Sequence, residues 1–182
     1  MKYNELRPLL KTGDLVFFSG KSISSRLIRL ASRSRWSHVG MLVRCPATDA
    51  VMLLESTKRE GGGIIQGALQ GVHLMLMSEK LREYHGEVWV RQIRRAIPTG
   101  RLNGIHNEDM GKPYERSLLQ LVATVLPFRV PERPRSIFCS ELVARALHKA
   151  GWPMRLPVNE YTPGDLATEW RRRFGAWVQV VA

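Results

Sequence analysis

Ser136-Ile137-Phe138-Cys139-Ser140-Glu141-Leu142-Val143 is the stretch around which this chain is organised. A proline-rich approach precedes it (Pro127, Pro131, Pro134), and helical periodicity follows as far as Ala150, where Gly151 acts as a stop. Apolar residues recur at Phe138, Leu142, Val143, Ala146, Leu147 and Ala150, while Glu141, Arg145, His148 and Lys149 take the other face. The spacing predicts an amphipathic helix with Cys139 in its first turn. Free N–H groups and the positive dipole end of a helix stabilise a thiolate there. Cysteine is also among the most buried residue types, and from this helix alone a small core hydrophobe is the commoner role. A nucleophile needs a base from elsewhere in the chain.

With 182 residues, the chain is long enough to bury a core without staples, and the expectation is one domain over 1–182. Two cysteines, Cys45 and Cys139, do not make a disulfide framework. The first eleven residues carry scattered charges and no apolar run, so no signal peptide is expected, and no stretch reaches the length of a membrane span. The simplest compartment is a reducing cytoplasm; delivery by another route, such as cell lysis, leaves the same signature. A net charge of +12 favours anionic partners, nucleic acid or an acidic membrane surface among them. Its arginines cluster at Arg26/Arg29/Arg33/Arg35, Arg91/Arg94/Arg95 and Arg171/Arg172/Arg173. No zinc-finger spacing, stacking motif or phosphate loop accompanies them, so charge argues for an anionic encounter surface without naming a ligand.

Leu15-Val16-Phe17-Phe18 reads as a short buried strand after the Gly13-Asp14 turn. Ser24 or Ser25 can cap a helix to about Ser32, with Ile23, Leu27, Leu30 and Ala31 expected inward and Arg26, Arg29 and Arg33 outward. Residues 36–43 and 50–57 read as two strands joined by Cys45-Pro46-Ala47-Thr48-Asp49. A hairpin symmetric about Pro46/Ala47 sets His38 opposite Glu55, within reach of a hydrogen bond. A slip by one residue would send one partner to the other face, whereas a shift by two keeps both on one face and loosens the contact. Further on come a glycine turn at 61–63, a strand over 71–76, a helix from Ser78 to Tyr84 capped by Ser78, and an alternating strand over 87–93. Residues 98–110 and the apolar stretch 117–126 read as helices, Gly111-Lys112-Pro113-Tyr114 as a turn. Thr162-Pro163-Gly164-Asp165 precedes a helix to Arg173 and a last strand from Trp177.

A thiol nucleophile needs an imidazole, and the imidazole needs a group that fixes its tautomer. His38 has both a strand setting and an expected carboxylate neighbour. His73 also falls in a strand, but with no acidic residue obviously opposite; His85, His106 and His148 lie in polar settings. None has metal-ligand spacing, so neither a metal site nor a cofactor is expected. Asp14 sits where a structural turn role is the commoner one, and Ser140 lacks the Gly-x-Ser-x-Gly elbow of a serine nucleophile.

Gly13-Asp14-Leu15-Val16-Phe17, Ser37-His38-Val39-Gly40-Met41, Leu54-Glu55-Ser56, Gly71-Val72, Gly111-Lys112-Pro113-Tyr114, Phe138-Cys139-Ser140-Glu141-Leu142-Val143 and Thr162-Pro163-Gly164-Asp165-Leu166 occur in that order. Taken together they resemble the circularly permuted papain-like amidases, the YiiX/YaeF-type branch of the NlpC-type cell-wall peptidase superfamily. The resemblance implies an α+β, permuted papain-like fold in which a cysteine-bearing helix packs against an antiparallel sheet bearing the histidine. By position it implies Cys139 as nucleophile, His38 as base and later acid, Glu55 as the group orienting His38, and Tyr114 as a residue beside the substrate. The implied chemistry is attack of the thiolate on an amide, in a peptide or peptidoglycan fragment, through a thioacyl-enzyme. An acyl-lipid hydrolase or acyltransferase is the second reading, suited to the basic surface. A non-catalytic basic module for nucleic acid or anionic membrane is the third, and the presence of all three candidate residues counts against it.

Overall fold

Leu15, Val16, Phe17 and Phe18 are each fully buried, so the strand they form has to be covered on both faces. That requirement shapes the molecule. The structure, a computed structural model, describes residues 1–57, 71–113 and 137–181. The glycine turn at 61–63, Tyr114, the apolar stretch 117–126 and the proline-rich approach to Cys139 lie outside them.

Six strands, β1 (Leu15–Gly20), β2 (His38–Arg44), β3 (Val51–Thr57), β4 (Gly71–Leu76), β5 (Gly86–Ile93) and β6 (Phe174–Val180), form one sheet in the order β4-β3-β2-β1-β5-β6. Every pairing in it is antiparallel. Among the described residues the helices are α1 (Tyr3–Leu6), α2 (Ile23–Ala31), α3 (Met77–Glu83), α4 (Asn103–Asp109), α5 (Cys139–Lys149) and α6 (Pro163–Thr168). The fold is thus α+β, as the resemblance implied.

Period-two alternation divides the core into two layers. Leu15, Phe17, Val39, Met41 and Leu54 pack with Leu142, Val143, Ala146 and Leu147 of α5 on one face. Val16, Phe18, Leu42, Leu53 and Val90 pack with Leu6, Met77 and Leu81 on the other. Leu142, Val143, Ala146, Leu147 and Ala150 are buried along α5 as the spacing foretold, but Glu141, expected on the polar face, is buried too, and the helix ends where Gly151 takes a left-handed φ of +84°.

Several local expectations are corrected. The hairpin is not symmetric about Pro46/Ala47: Val43 faces Met52 and Arg44 faces Val51. The Cys45 N–H donates to Ala50 O at 2.8 Å, leaving a four-residue loop closed by Asp49 at φ +57°. Arg44 Nη2 and Arg7 Nη2 hold the Asp49 carboxylate at 2.8 and 3.3 Å. Helix α2 is capped by Ser22, whose hydroxyl accepts the Ser25 N–H, and not by Ser24 or Ser25. Three of the residues expected inward are not: Ile23 is 78% exposed, Leu30 77% and Leu27 49%. Spacing revealed an amphipathic helix but not whether its apolar side has a partner. Helix α3 starts at Met77, ahead of Ser78. Thr162 forms a capping box with Asp165, but α6 stops at Thr168, and β6 begins at Phe174.

Candidate active site

Strands β2 and β3 are paired from Arg44↔Val51 to Met41↔Leu54. Past Leu54, β3 continues its pairing with β4, through Glu55↔His73, Ser56↔Val72 and Thr57↔Gly71. The segment leading into α5 meets this end of the sheet. Ser56 Oγ donates to Ile137 O at 2.7 Å, and the Ile137 N–H donates to Pro113 O at 3.1 Å. Gly40 lets the two strands come this close: a β-carbon there would lie 2.7 Å from Leu53 Cδ1 and 2.9 Å from Leu54 O. Both strands therefore deliver side chains to the point where α5 begins.

His38 and Glu55 do meet, although not as directly opposed residues. Continuing the observed register sets Glu55 across from Gly40, two positions along, so the imidazole reaches it diagonally. His38 Nε2 lies 2.7 Å from Glu55 Oε2. The two-residue shift kept the face, and side-chain reach closed the gap. Phe18, paired with His38 across β1, lays its ring 5.3 Å from the imidazole.

Glu55 is completely buried and carries more partners than sequence reasoning assigned to it. Lys80 Nζ donates to Glu55 Oε1 at 2.6 Å, and His73 Nε2 lies 3.5 Å from the same oxygen. His73 is thus directly opposite an acidic residue, contrary to the sequence reading; pairing the strands over 51–57 and 71–76 would have revealed it. Lys80 was missed as well. Its signal was position: Met77, Lys80 and Leu81 fall at i, i+3 and i+4, which places a lysine on the apolar stripe of α3. A buried charge needs a buried counter-charge, and Glu55 is it.

The thiol of Cys139, 6% exposed, lies beside the His38 ring, close enough for each to shift the other's titration. Burial pushes the thiol pKa up, but the His38 charge and hydrogen bond, with the backbone N–H groups of Val39 and Ser140, outweigh it and lower the value. Burial pulls His38 down in turn, yet the adjacent Cys139 and then Glu55 raise it to about 9. Desolvation also works against the Glu55 carboxylate, and Lys80, His38 and His73 hold it well below the ordinary range. The arrangement favours a thiolate beside an imidazolium, backed by an ionised carboxylate and an ammonium.

Other candidates fall elsewhere. Asp14 is buried and structural: its carboxylate accepts the Lys11 and Ile93 N–H groups at 2.8 and 2.7 Å, and burial pushes its pKa up to about 6. Cys45 sits in the β2–β3 loop, and His148 is exposed near the far end of α5. Of the Gly111–Tyr114 turn, Gly111 and Lys112 pair with Val72 through bonds of 2.9 and 2.8 Å. Gly71 is required there, because a β-carbon would run into the Lys112 carbonyl oxygen and its φ of +116° is left-handed. Among the described residues no group of three His, Cys, Asp or Glu side chains is arranged to hold a metal ion.

Neither a family model nor a curated protein sequence matches this chain. Among solved structures, it is similar to the crystal structure of the metalloprotein YiiX from Escherichia coli O157:H7. The two share 22% identity and superpose with a TM-score of 0.56, over 78% of this chain and 66% of that one. This chain therefore spans a little under two thirds of that protein's length. At such identity the likeness is one of architecture, and the antiparallel sheet with its flanking helices has a YiiX-like fold.

Proposed function

We propose that this chain is a cysteine hydrolase of circularly permuted papain-like architecture that cleaves an amide bond through a thioacyl-enzyme. The observation that carries this reading is the continuous line of contacts from Cys139 at the head of α5 to His38, Glu55 and Lys80. The chain order His38, Glu55, Cys139 supports the permuted arrangement. The Cys139 thiolate attacks the carbonyl carbon, and the negative charge that develops on oxygen is met by N–H groups at the start of α5. His38 donates its proton to the departing amine as the C–N bond breaks, leaving a thioester on sulfur. Water then attacks the thioester, His38 takes up its proton, and the carboxylate product leaves with the thiolate restored. Glu55 keeps the imidazole oriented and compensates its charge. The neighbour's description as a metalloprotein is not carried into this step, because the described His, Cys, Asp and Glu residues are not arranged as a metal site and Glu55 Oε1 is taken by Lys80.

The resemblance in motif order narrows the amide to a peptide or peptidoglycan fragment, with Tyr114 proposed beside the substrate. Intact-mass analysis after mixing with peptidoglycan stem peptides tests it. The expected result is a thioacyl adduct on Cys139 that hydroxylamine removes and Cys139→Ala never forms. Failure to trap an adduct from any amide or ester, with turnover absent, would sink the hydrolase reading and leave the basic binding module.

A second reading, an acyl-lipid hydrolase or acyltransferase at an anionic bilayer, is favoured by α2. Ile23, Leu27 and Leu30 are exposed on α2, as are Arg26 on the same helix and Lys21 and Arg33 just beyond its two ends. No acidic residue occurs between Asp14 and Asp49. Apolar side chains flanked by unopposed cations suit an interfacial helix. Co-sedimentation with phosphatidylglycerol vesicles, abolished by Leu27→Ser/Leu30→Ser, together with a thioacyl adduct formed from a phospholipid, is the outcome expected on this reading. Vesicle binding indifferent to those substitutions overturns it.

A further inference from the structure

Two arginine clusters far apart in sequence meet in the fold. Strands β5 and β6 pair at Ile93↔Phe174, and the Arg94 N–H donates to Arg173 O at 2.9 Å. Arg94 and Arg95 are thereby set beside Arg172 and Arg173, and Arg101 joins them from the 3-10 turn Thr99–Leu102. The five guanidinium-bearing residues line a cavity of about 470 Å³ together with Trp152. It lies past the C-terminal end of α5, roughly 16 Å along the helix from Cys139 at 1.5 Å rise per residue. It is therefore separate from the candidate active site.

Among the described residues none of the five has a carboxylate partner, and no acidic side chain lines the cavity. Like charges gathered in this way repel one another unless an anion relieves them. Three of the five are also held in place. Arg101 Nη1 donates to Ala150 O at 2.9 Å, Arg94 Nε donates to Phe174 O at 3.1 Å, and the Arg173 guanidinium lies 4.9 Å from the Trp152 ring centroid. Each anchor uses part of the guanidinium and leaves other N–H groups for a ligand. The volume falls within the range of small-molecule sites, and planar guanidiniums match phosphoryl oxygens two at a time.

We propose that this cavity binds a small ligand bearing two or more phosphoryl groups, either free in solution or as a lipid headgroup. The charge requires more than a single phosphate to balance five guanidiniums. Phosphoryl recognition here is independent of turnover at Cys139, so Cys139→Ala binds as the parent chain does.

Calorimetric titration of the full chain with inorganic tripolyphosphate at physiological salt tests the proposal. One site per chain is expected, with inorganic phosphate binding at least ~10-fold more weakly. Arg95→Glu/Arg172→Glu, both exposed residues, should weaken tripolyphosphate by ~30-fold or more, a loss of about 2 kcal/mol. Arg26→Glu/Arg33→Glu makes the same change in net charge outside the cavity and should leave the affinity within ~3-fold after allowing for long-range screening. Equal weakening by both pairs, many sites per chain, or no binding at all overturns the proposal. Vesicles carrying phosphatidylinositol bisphosphate separate the two sources. Retention that tripolyphosphate displaces identifies a headgroup; tripolyphosphate binding without vesicle retention identifies a soluble ligand.

Discussion

Cys139 and His38 make an acid–base pair whose two shifts oppose the ordinary order. A thiol normally titrates above an imidazole; here Cys139 is lowered and His38 raised to about 9. Activity should therefore climb as pH rises through the depressed Cys139 value and fall as His38 loses its proton near pH 9. A bell-shaped kcat/KM profile is expected, with its alkaline limb absent in Cys139 alkylation rates. In a Cys45→Ser background, iodoacetamide should label Cys139 well below pH 8, and His38→Ala should slow labelling at pH 6.5 by ~10-fold or more. Slow labelling that rises only near pH 9 in the parent chain would contradict the pair. Behind them, Lys80 and Glu55 are both buried, so removing one strands the other. Lys80→Met should cost about 3–5 kcal/mol in chemical denaturation, and adding Glu55→Gln should recover part of that loss. Additive losses would mean that the two do not act as a pair.

At the scale of elements, the site depends on how β2 and β3 sit against each other. Register was shifted by two residues because the loop closes between Cys45 and Ala50, with Asp49 clamped by Arg44 and Arg7. Strand parity survives a shift of two, which is why His38 and Glu55 still share a face. Gly40 sits at the narrowest point, and its added β-carbon would press on the Leu54 carbonyl, a backbone atom that cannot rotate away. Gly40→Ala should destabilise the fold by about 1–3 kcal/mol and move His38 off Glu55. Loss of stability accompanied by an unchanged pH profile would show that the strands adjust without disturbing the pair. Helix α2 presents the contrary case. Its apolar residues touch little, so Leu27→Ser should change stability by less than about 0.5 kcal/mol.

At the scale of the molecule, one sheet separates two apolar layers that, among the described residues, share no buried side chain. Leu142 of α5 belongs to the layer beneath the cysteine, and Leu53 of β3 to the layer on α1 and α3. Leu142→Ala and Leu53→Ala should each cost about 2–5 kcal/mol, and the double variant should lose their sum within about 0.5 kcal/mol. A large departure from additivity would indicate that the sheet transmits strain between layers. The charge distribution is organised on the same scale. The line of Cys139, His38 and Glu55 stands at one end of α5, and the five arginines gather at the other. The proposed amide chemistry and the proposed anion site therefore stand at different ends of one helix.

Local patterns determined much of this protein before any coordinates. The continuous apolar run at 15–18 demanded cover on two faces, the stripe from Leu142 to Ala150 defined α5, and Gly151 ended it. Alternation along the strands kept His38 and Glu55 on one face because the register differs from the symmetric hairpin by two residues; a slip of one would have separated them. These features are legible because they depend on neighbours within a few positions, where backbone geometry sets the period. Only the tertiary structure decided which elements lie side by side. It set His73 opposite Glu55, turned Lys80 into the buried counter-charge, left the apolar side of α2 in solvent, and joined Arg94 and Arg95 to Arg172 and Arg173. Each of these depends on pairings between distant strands and on the packing of helices against the sheet, and no local periodicity carries that information.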